Sequence, residues 1–418
     1  MTPPHDVIIL GAGIGGLTLA LSLHEAGIGC RVYEAAPEFL PLGVGINVLP
    51  HASRELEALG VMPELERVAV VTKESAFFNR FGQHVYSEPA GRWAGYDVPQ
   101  LSIHRGDLHA VLLDAVRQRI GAGNVFAGHA CTGVENTADG VRVRLRDPSG
   151  ATLPDVMGSI AVACDGIHSV VRKQFYPDEG PPRFSGVNMW RGVTSHAPFL
   201  SGASMVRAGW LSVGKMVIYP IRDHIDAQGN QLINWVAELE AAEPVRRDWM
   251  AKGALDDFLP TFAHWNFDWL DVAALIRKTD SVLAYPMVDQ DPLPRWSFER
   301  VTLLGDAAHP MYPRGSNGAG QAILDARYLA AQLAAHGLTP QALTEYDRAR
   351  NAVTAKVVLM NRSNPPDTIL REVHERSGDK PFDRIEDVVS VEELAQISNN
   401  YKQVAGIQAP QTPKETTS

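Results

Sequence analysis

The first forty residues carry a pattern of apolar positions that is typical of a strand, a helix and a second strand. Val7–Leu10 is a short, fully apolar run with β-branched residues, which indicates a buried parallel strand. From Leu17 to Ala26 the apolar residues recur at helical spacing, and Gly27 follows as a C-cap. Arg31–Glu34 returns to a strand pattern and ends in an acid. These patterns together predict a βαβ unit.

The loop between this strand and this helix is rich in glycine at positions that suit a dinucleotide. Gly11 permits a tight turn, Gly13 lets backbone N–H groups approach a pyrophosphate, and Gly16 lets the helix pack closely on the strand. The N-terminus of the helix adds partial positive charge for the phosphates. Glu34 follows at the spacing where a carboxylate accepts hydrogen bonds from ribose hydroxyls. The unit predicts a dinucleotide and leaves the choice between NAD and FAD open.

Two later strands run directly into acidic loops. Ile160–Cys164 is followed by Asp165-Gly166, and Val301–Leu304 is followed by Gly305-Asp306. Ligands of α/β sheets bind at the carboxyl ends of strands, so both loops are candidate ligand sites. After the second, a loop rich in proline and glycine leads into a long helix that begins near Asn317.

Helix signals also occur in the segment before residue 120. The pattern predicts a helix over Pro50–Leu59, and Asp107 is a good N-cap for a helix that runs through Leu108–Val116. Arg105 would then lie just before a helix start, close to the end of the first strand. At this position it either faces the same ligand or is an ordinary surface arginine, and the pattern leaves both open.

From 183 to 296 the pattern changes to strands, and the chain becomes rich in tryptophan. Strand patterns cover Val187–Val193, Lys215–Ile221, Leu232–Leu239 and Ser281–Tyr285, and helical patterns cover 254–263 and 268–277. This region predicts a second domain with a mostly antiparallel sheet. Its aromatic side chains suit a pocket for a flat substrate, although core packing is the commoner role of any single tryptophan.

Charge and cysteine content narrow the classes of partner and compartment. The formal net charge is −10 and the pI is about 5.8, so no basic field attracts nucleic acid. Cys30, Cys131 and Cys164 lie far apart, with neither a disulfide framework nor metal-ligand spacing. We therefore expect a reducing, cytoplasmic compartment and no metal. The sequence contains no run of 18 apolar residues, so we expect no transmembrane helix.

Three features of this chain, in their order and spacing, resemble the single-component FAD-dependent aromatic hydroxylases, also called group A flavoprotein monooxygenases. The three features are the glycine-rich loop with Glu34, the Asp165-Gly166 pair and the Gly305-Asp306 pair. The resemblance spans residues 5 to 365. Within this family, the segments 42–47, 102–108, 189–194 and 285–289 resemble the bacterial phenazine-carboxylate hydroxylases. Many members carry an uncharged residue where this chain has Arg314.

The resemblance implies an α/β fold in which a Rossmann-like FAD-binding domain is interrupted by a substrate domain. The substrate domain would contain a mostly antiparallel sheet with flanking helices. The implied FAD-binding segments are 1–74, 101–182 and 297–365, and the implied substrate-binding segments are 75–100 and 183–296. Residues 366–418 lie beyond the resemblance. Because the chain is more polar from about residue 364 on, we expect a C-terminal extension whose last ten or so residues are disordered.

The implied activity is hydroxylation of an aromatic or heteroaromatic, phenazine-carboxylate-like substrate, with or without decarboxylation. NADH or NADPH would reduce the flavin, and O₂ would convert the reduced flavin to a C4a-hydroperoxide that delivers the oxygen. Because the chain has one dinucleotide loop, the nicotinamide nucleotide should bind transiently. We expect a monomer or a homodimer. No catalytic acid or base is assigned, and the candidates are Tyr219 and His224.

The same resemblance implies roles for individual residues. Glu34 would bind the adenosine ribose of FAD, Arg105 the ribityl–pyrophosphate region, and Asp306 the ribityl or pyrophosphate oxygens. The helix N-terminus near Asn317 would stabilise the negative charge of reduced flavin. The expected FAD-binding residues are Gly11, Gly13, Ile14, Gly15, Gly16, Glu34, Ala35, Gly43, Val44, Arg105, Cys131, Asp165, Gly166, Gly305, Asp306, Pro313, Gly315, Asn317 and Gly318. The expected substrate-binding residues are Gly45, Arg191, Tyr219, Trp235 and Arg314, with one of the two arginines as the anchor of an acid.

Other functions remain open at this point. An NAD-linked dehydrogenase would explain the first βαβ unit but leaves Gly305-Asp306 without a role. A flavin-dependent halogenase shares the scaffold, but its Trp-x-Trp-x-Ile-Pro signature is absent from this chain. Epoxidation or dehydrogenation by bound FAD, or a non-catalytic flavin-scaffold protein, are further alternatives. A flavin spectrum, together with NADH oxidation stimulated by an aromatic ligand, distinguishes these functions.

Overall fold

The computed structural model describes residues 6–39, 43–245 and 253–407. The predicted disorder of the last ten residues lies outside these ranges, as does Leu42. In chain order the strands are β1 (Val7–Leu10), β2 (Cys30–Tyr33), β3 (Gly45–Val48), β4 (Val70–Val71), β5 (Glu74–Phe78), β6 (His84–Pro89), β7 (Leu101–His104), β8 (Val125–Phe126), β9 (Ala130–Thr137), β10 (Gly140–Arg146), β11 (Val156–Gly158), β12 (Ile160–Ala163), β13 (Arg183–His196), β14 (Ser204–Trp210), β15 (Gly214–Arg222), β16 (Gln231–Glu240), β17 (Asn266–Phe267), β18 (Leu270–Asp271), β19 (Leu283–Asp289), β20 (Ser297–Phe298) and β21 (Val301–Leu303). The α-helices are α1 (Ile14–Glu25), α2 (Pro50–Ala58), α3 (Met62–Val68), α4 (Arg105–Ile120), α5 (Val170–Phe175), α6 (Leu259–Phe262), α7 (Val272–Arg277), α8 (Gly318–His336), α9 (Pro340–Ser363), α10 (Thr368–Ser377) and α11 (Val391–Val404).

The first sheet has six strands in the order β20-β21-β12-β1-β2-β8. All neighbouring pairs are parallel except β20 with β21. The four residues of β1 are fully buried because α1, α4 and α8 cover the sheet. Since β1, β12 and β21 are adjacent and parallel, the loops that follow their carboxyl ends meet at one edge. The glycine-rich loop and the two acidic loops therefore come together, although they are far apart in sequence.

The second sheet has seven strands in the order β19-β13-β16-β15-β14-β5-β6, antiparallel except for the β14–β5 pair. One face packs on α6 and α7 through aromatic side chains that include Trp190, Trp235 and Phe258. The other face carries Arg191 and Tyr219, because side chains alternate along each strand. The sequence patterns missed β14, and the two helical segments predicted here are shorter than expected.

The remaining strands form three small sheets in the described chain, and the one made of β3, β7 and β4 contacts β15 of the second sheet. Strand β3 pairs with β7, and β7 pairs with β4, all antiparallel. Helix α4 begins at Arg105, and its N-cap is His104, whose Nδ1 accepts from the N–H of Gly106 at 3.2 Å. The prediction of Asp107 as the cap is therefore wrong. Its carboxylate instead pairs with Arg222 on the second sheet, so this acid joins the two layers.

The C-terminal extension contains two helices, α10 and α11, that pack against the second sheet. A cluster of buried residues joins them to β5 and β6: Phe77, Val85, Ile369, Leu370, Val373, Val389 and Leu394. In the described part of the chain, no helix combines the length and the apolar character needed to cross a membrane.

Candidate active site

The three glycines of the first loop have different surroundings. A Cβ on Gly11 would lie 2.4 Å from the carbonyl oxygen of Cys164, and its φ is +106°. A Cβ on Gly16 would lie 2.1 Å from the carbonyl oxygen of Gly11. A Cβ on Gly13 would meet nothing within 4 Å. Packing within the protein therefore explains the first two glycines, whereas Gly13 borders open space at the N-terminus of α1. This arrangement supports a phosphate site in front of Gly13.

Glu34 follows β2 and lies against the glycine-rich loop. Its carboxylate accepts from the backbone N–H of Ala12 and of Ala36, both at 2.8 Å. Ala35 beside it is exposed. Two backbone donors fix the orientation of the carboxylate, and its remaining lone pairs can accept from a ligand. The position supports the predicted contact with the ribose of a dinucleotide.

The two acidic loops present carboxylates to the same edge of the sheet. Asp165 Oδ2 accepts from Val170 N–H at 2.9 Å, whereas its Oδ1 is buried without a partner in the described chain. Burial raises the pKa of Asp165. Asp306 is exposed although Gly305 and Ala307 on either side are buried. Both acids are therefore available to a ligand that supplies hydrogen-bond donors.

Four other residues of the expected FAD set lie near this edge of the sheet. Arg105 is exposed, forms no ion pair with any described residue, and lies within electrostatic reach of Asp306. Gly43 packs on it, because a Cβ there would lie 3.3 Å from the Arg105 Cβ. The backbone N–H of Arg105 donates to the carbonyl oxygen of Val44 at 3.0 Å. Cys131 is a neighbour of Asp165, and burial together with that charge raises the pKa of its thiol to about 12. This thiol therefore stays protonated.

A tight loop leads into α8. We call its residues 313–318 the flavin loop, because the sequence analysis expects them to face the flavin. Ser316 has a φ of +52°, unusual for a residue other than glycine, and donates its N–H to the carbonyl of Pro313 at 3.0 Å. Asn317 Oδ1 is hydrogen bonded to Nε2 of the buried His51 at 2.8 Å. The Asn317 Nδ2 is buried without a regular hydrogen bond in the described chain, although the Tyr401 phenol lies close enough to interact with the Asn317 side chain. An unpaired donor at a helix N-terminus suits an electron-rich ligand edge.

We expect the titration of His51 to lower the stability of the protein in acid. Burial lowers the pKa of His51 to about 4 in the folded protein, whereas in the unfolded chain it binds a proton near pH 6.5. Between these values the unfolded state holds more protons, so the free energy of unfolding falls as the pH falls. The decrease amounts to roughly 3 kcal/mol by pH 4.

Urea unfolding of His51→Gln and wild type across pH 4 to 7.5 measures this contribution. As the pH falls to 4, the unfolding free energy of wild type should decrease by roughly 3 kcal/mol more than that of His51→Gln. The same substitution at the exposed His24 is the control and should leave the wild-type pH dependence unchanged. A His51→Gln profile parallel to wild type would show that His51 does not titrate in this way.

The surroundings of the loops after β1, β12 and β21 test whether this edge of the first sheet fits FAD. The open space at Gly13, the unpaired oxygen of Asp165 and the unpaired amide of Asn317 are separate features of one edge, and each suits a different part of a flavin dinucleotide. The residues at this edge therefore fit the group.

On the second sheet, a cluster of polar side chains surrounds Gly45 at the start of β3. Asn234 Oδ1 accepts from Gly45 N–H at 2.7 Å, and an Arg191 NH2 group donates to the Gly45 carbonyl at 2.7 Å. A Cβ on Gly45 would lie 2.7 Å from atoms of both Asn234 and Tyr219. Arg191 Nε and Asn234 Nδ2 are buried without partners in the described ranges. Two unpaired donors thus face one small region. The sequence analysis missed Asn234, which lies on the same face as Tyr219, directly opposite it.

Arg314 lines a separate cavity of about 580 Å³ at one end of the second sheet, together with Val187, Leu211 and Glu240. Its Nε is buried and unpaired within the described chain. Because Arg314 belongs to the flavin loop, the cavity adjoins the edge that fits FAD.

Two predicted site residues do not lie where a substrate contact requires. Trp235 is fully buried on the opposite face of the sheet, and its indole N–H is bonded to Thr194 and Thr279. The alternation of side chains explains this, since Trp235 is adjacent to Asn234 in the strand. His224 lies in the turn after β15 with its side chain 81% exposed. Neither placement fits the role that the sequence analysis suggested.

Comparisons with known proteins agree with this site. The family model for the FAD binding domain matches residues 4–223 and 273–361. The chain is 41% identical over 404 residues to phenazine 1,6-dicarboxylic acid hydroxylase PhzS of Lysobacter antibioticus, covering 96% of this chain and 97% of that protein. It is 33% identical over 371 residues to 3-hydroxybenzoate 6-hydroxylase 1 of Aquipseudomonas alcaligenes, covering 86% of this chain and 88% of that protein.

The fold is similar to that of a solved flavoprotein. The structure of Klebsiella pneumoniae HpxO complexed with FAD and uric acid superposes with a TM-score of 0.76 at 23% identity, covering 96% of this chain and 97% of HpxO. The predicted fold class and the expectation of FAD are both confirmed. The chain therefore belongs to the FAD-dependent aromatic hydroxylases, a family of flavoprotein monooxygenases.

Proposed function

We propose that the protein uses NAD(P)H and O₂ to hydroxylate an aromatic or heteroaromatic carboxylic acid, and that phenazine carboxylates are the class to test first. The observation that carries this proposal is the pair of buried, unpaired donors beside Gly45, namely Arg191 Nε and Asn234 Nδ2. Buried donors are rarely left unpaired, so they point to a ligand with an acceptor.

The sheet register brings these two donors within reach of one carboxylate. Arg191 on β13 is opposite Val236 on β16, and Asn234 is two positions further along β16 on the same face. Diagonal neighbours of this kind have side chains about 7–8 Å apart at their bases, so long side chains converge. A guanidinium stays charged when buried and forms strong, directional hydrogen bonds with carboxylates. The geometry therefore favours an acid over a neutral ring.

An apolar surface next to Arg191 suits the flat part of such a substrate. Val187, Met189, Val236, Tyr285 and Tyr312 form one buried cluster that spans the second sheet and the residue before the flavin loop. Aromatic and aliphatic walls with a few polar groups are typical of small-molecule sites. The ring system would lie between the second sheet and the flavin loop, with the carboxylate at Arg191.

When bound, FAD supplies the redox chemistry, taking electrons from NAD(P)H and transferring an oxygen atom from O₂ to the ring. The residues of this chain orient and shield the reactants. The glycine-rich loop and Glu34 would hold the phosphates and ribose, and Asn317 with the N-terminus of α8 would bind the flavin pyrimidine edge. Burial raises the pKa of Tyr219, so its phenol can donate a hydrogen bond but does not act as a base near neutral pH.

The names of these two relatives support an acid as substrate. The Lysobacter protein is named for a phenazine dicarboxylic acid and the Aquipseudomonas protein for a hydroxybenzoate. The test is to screen phenazine-1-carboxylate, a phenazine dicarboxylate, unsubstituted phenazine and 3-hydroxybenzoate with NADH and with NADPH, and to determine product masses. An acid should accelerate NAD(P)H oxidation and yield a product with an added oxygen, with or without loss of CO₂. Oxidation that no aromatic acid accelerates would overturn the proposal.

Replacing the anchor should weaken binding and waste reducing equivalents. We expect Arg191→Met to lose roughly 1.5–3 kcal/mol of binding free energy for the acid, the range for hydrogen bonds to charged groups. This corresponds to about a 10- to 150-fold higher apparent Kd. A misplaced ring should also raise the H₂O₂ formed per NAD(P)H, which a peroxide assay measures.

Arg314→Met is the matched variant, because Arg314 is the other arginine among residues 6–39, 43–245 and 253–407 with a buried, unpaired Nε. If Arg191 is the anchor, Arg314→Met should keep the wild-type affinity for a monocarboxylate. The reverse pattern would move the anchor to the cavity at Arg314. Wild-type affinity and coupling in both variants would exclude an arginine-bound acid.

A further inference from the structure

The C-terminal helix α11 reaches the flavin loop through one buried side chain. Tyr401 is 3% exposed, and its hydroxyl donates to Asn361 Oδ1 at 3.0 Å. The Nδ2 of Asn361 donates in turn to the carbonyl of Tyr312 at 3.0 Å. Tyr312 is the residue directly before the flavin loop. A hydrogen-bonded chain therefore runs from the extension to the base of that loop.

The same phenol also touches the loop directly. A Cβ added to Gly315 would lie 1.5 Å from the Tyr401 hydroxyl oxygen and 2.3 Å from the ring carbon that carries it. The hydroxyl thus occupies the space beside Gly315, and the loop backbone cannot move towards α11. Burial raises the pKa of Tyr401, so the hydroxyl remains a neutral donor at every working pH.

A second contact joins the end of α11 to the first turn of α8. Gln321 Nε2 donates to the carbonyl of Ala405 at 3.1 Å, and Gln321 Oε1 accepts from Arg350 at 2.7 Å. Gln321 N–H also donates to the carbonyl of Asn317 at 2.9 Å. The helix N-terminus that follows the flavin loop is therefore fixed to the extension as well.

The extension is itself held to the second sheet. Lys402 pairs with Glu88 at 2.9 Å, and Ser398 donates to the same carboxylate at 2.9 Å. Since α11 bonds to β6 on one side and to the flavin loop on the other, it connects the sheet that faces the substrate to the backbone that faces the flavin.

We propose that Tyr401 is a positioning residue for the flavin loop, so that the C-terminal extension sets the backbone geometry that binds the flavin pyrimidine ring. The proposal rests on the assignment of this loop to the flavin in the proposed function. It does not depend on which aromatic acid is the substrate.

Tyr401→Phe tests this role because it removes the hydroxyl and keeps the ring. Loss of one hydrogen bond should raise the Kd of the apoprotein for FAD by about 2- to 10-fold. The visible absorption bands and the midpoint potential of the bound flavin should also shift. The control is Tyr328→Phe, the same substitution at a tyrosine of α8 whose side chain is exposed. It should leave the spectrum and the potential of the flavin unchanged.

A double-mutant cycle makes the test specific to the loop. Gly315→Ala should raise the FAD Kd at least about tenfold in the wild-type background, because its Cβ meets the phenol, and much less in the Tyr401→Ala background. A Tyr401→Phe protein with wild-type FAD affinity, spectrum and potential, or strictly additive effects in the cycle, would overturn the proposal. Wild-type protein that binds no flavin would instead overturn the proposed function.

Discussion

Gly13→Val is expected to abolish FAD binding and to leave the fold intact. Gly13 has φ −72° and ψ −178°, an extended conformation that valine adopts readily. A Cβ at this position meets no protein atom within 4 Å, so the apoprotein has no reason to unfold. The added side chain instead fills the space in front of the first helix turn, where backbone N–H groups would bind the pyrophosphate.

The expected loss is large because several charge-assisted hydrogen bonds depend on this approach. Two such bonds at roughly 1.5–3 kcal/mol each amount to about 3–6 kcal/mol. Since about 1.4 kcal/mol corresponds to a tenfold change, the Kd for FAD should rise by about 10²- to 10⁴-fold. Titration of the apoprotein with FAD by flavin fluorescence, together with thermal unfolding, separates binding from folding.

Gly123→Val is the matched control for this experiment. A Cβ on Gly123 also meets nothing within 4 Å, and this glycine lies in a short turn before β8. It should bind FAD as wild type does. Gly16→Val should behave differently again, because its Cβ would collide with the Gly11 carbonyl oxygen at 2.1 Å and impair folding. A folded Gly13→Val protein that is still yellow would show that the phosphates lie elsewhere.

The FAD-binding edge could be predicted from the sequence because its signals are local. Apolar runs end at Leu10, Cys164 and Leu304, and each is followed by glycine or an acid within two residues. Parallel pairing of β1, β12 and β21 then suffices to bring the three loops together. That inference depends only on the backbone order of the strands. It does not require the conformation of any side chain or a packing contact between distant segments.

The substrate face could not be predicted in the same way. Alternation places Arg191 on one face and Trp190 on the other, but both faces carry buried apolar residues, Met189 on the first and Trp190 on the second. Which face receives α6 and α7 depends on long-range packing, so Trp235 was placed wrongly. Asn234 was missed because its role arises from pairing with Gly45, 189 positions away.

The role of the extension could not be predicted either. The apolar residues of α10 and α11 recur at helical spacing, but the sequence analysis predicted no helix here because this segment is polar overall. The role of Tyr401 depends on contacts with Asn361 and Gly315, which lie on other elements. Only the assembled fold brings these residues together.

Asp367→Asn is expected to destabilise the protein by about 3–5 kcal/mol, the range for breaking a buried ion pair. Asp367 precedes α10 and pairs with the buried Lys215, which also bonds to Glu238 at 2.9 Å. Arg207 lies 3.4 Å from the other oxygen of Asp367. All four side chains are at most 7% exposed. Two cations and two anions balance in this network, so removal of one anion leaves an uncompensated positive charge away from water.

The position of this network gives the prediction a functional consequence. Lys215 and Glu238 lie on the same face of the second sheet as Tyr219, and Asp367 attaches the extension to that face. Urea unfolding measures the loss, and Asp97→Asn is the control. Asp97 pairs with Arg54 at the surface, where the two side chains are 69% and 43% exposed, and its loss should cost no more than about 1 kcal/mol. If Asp367→Asn is as mild as this control, the network does not hold the extension in place. If it is severe, FAD affinity should fall with stability, because α11 and the flavin loop depend on the same attachment.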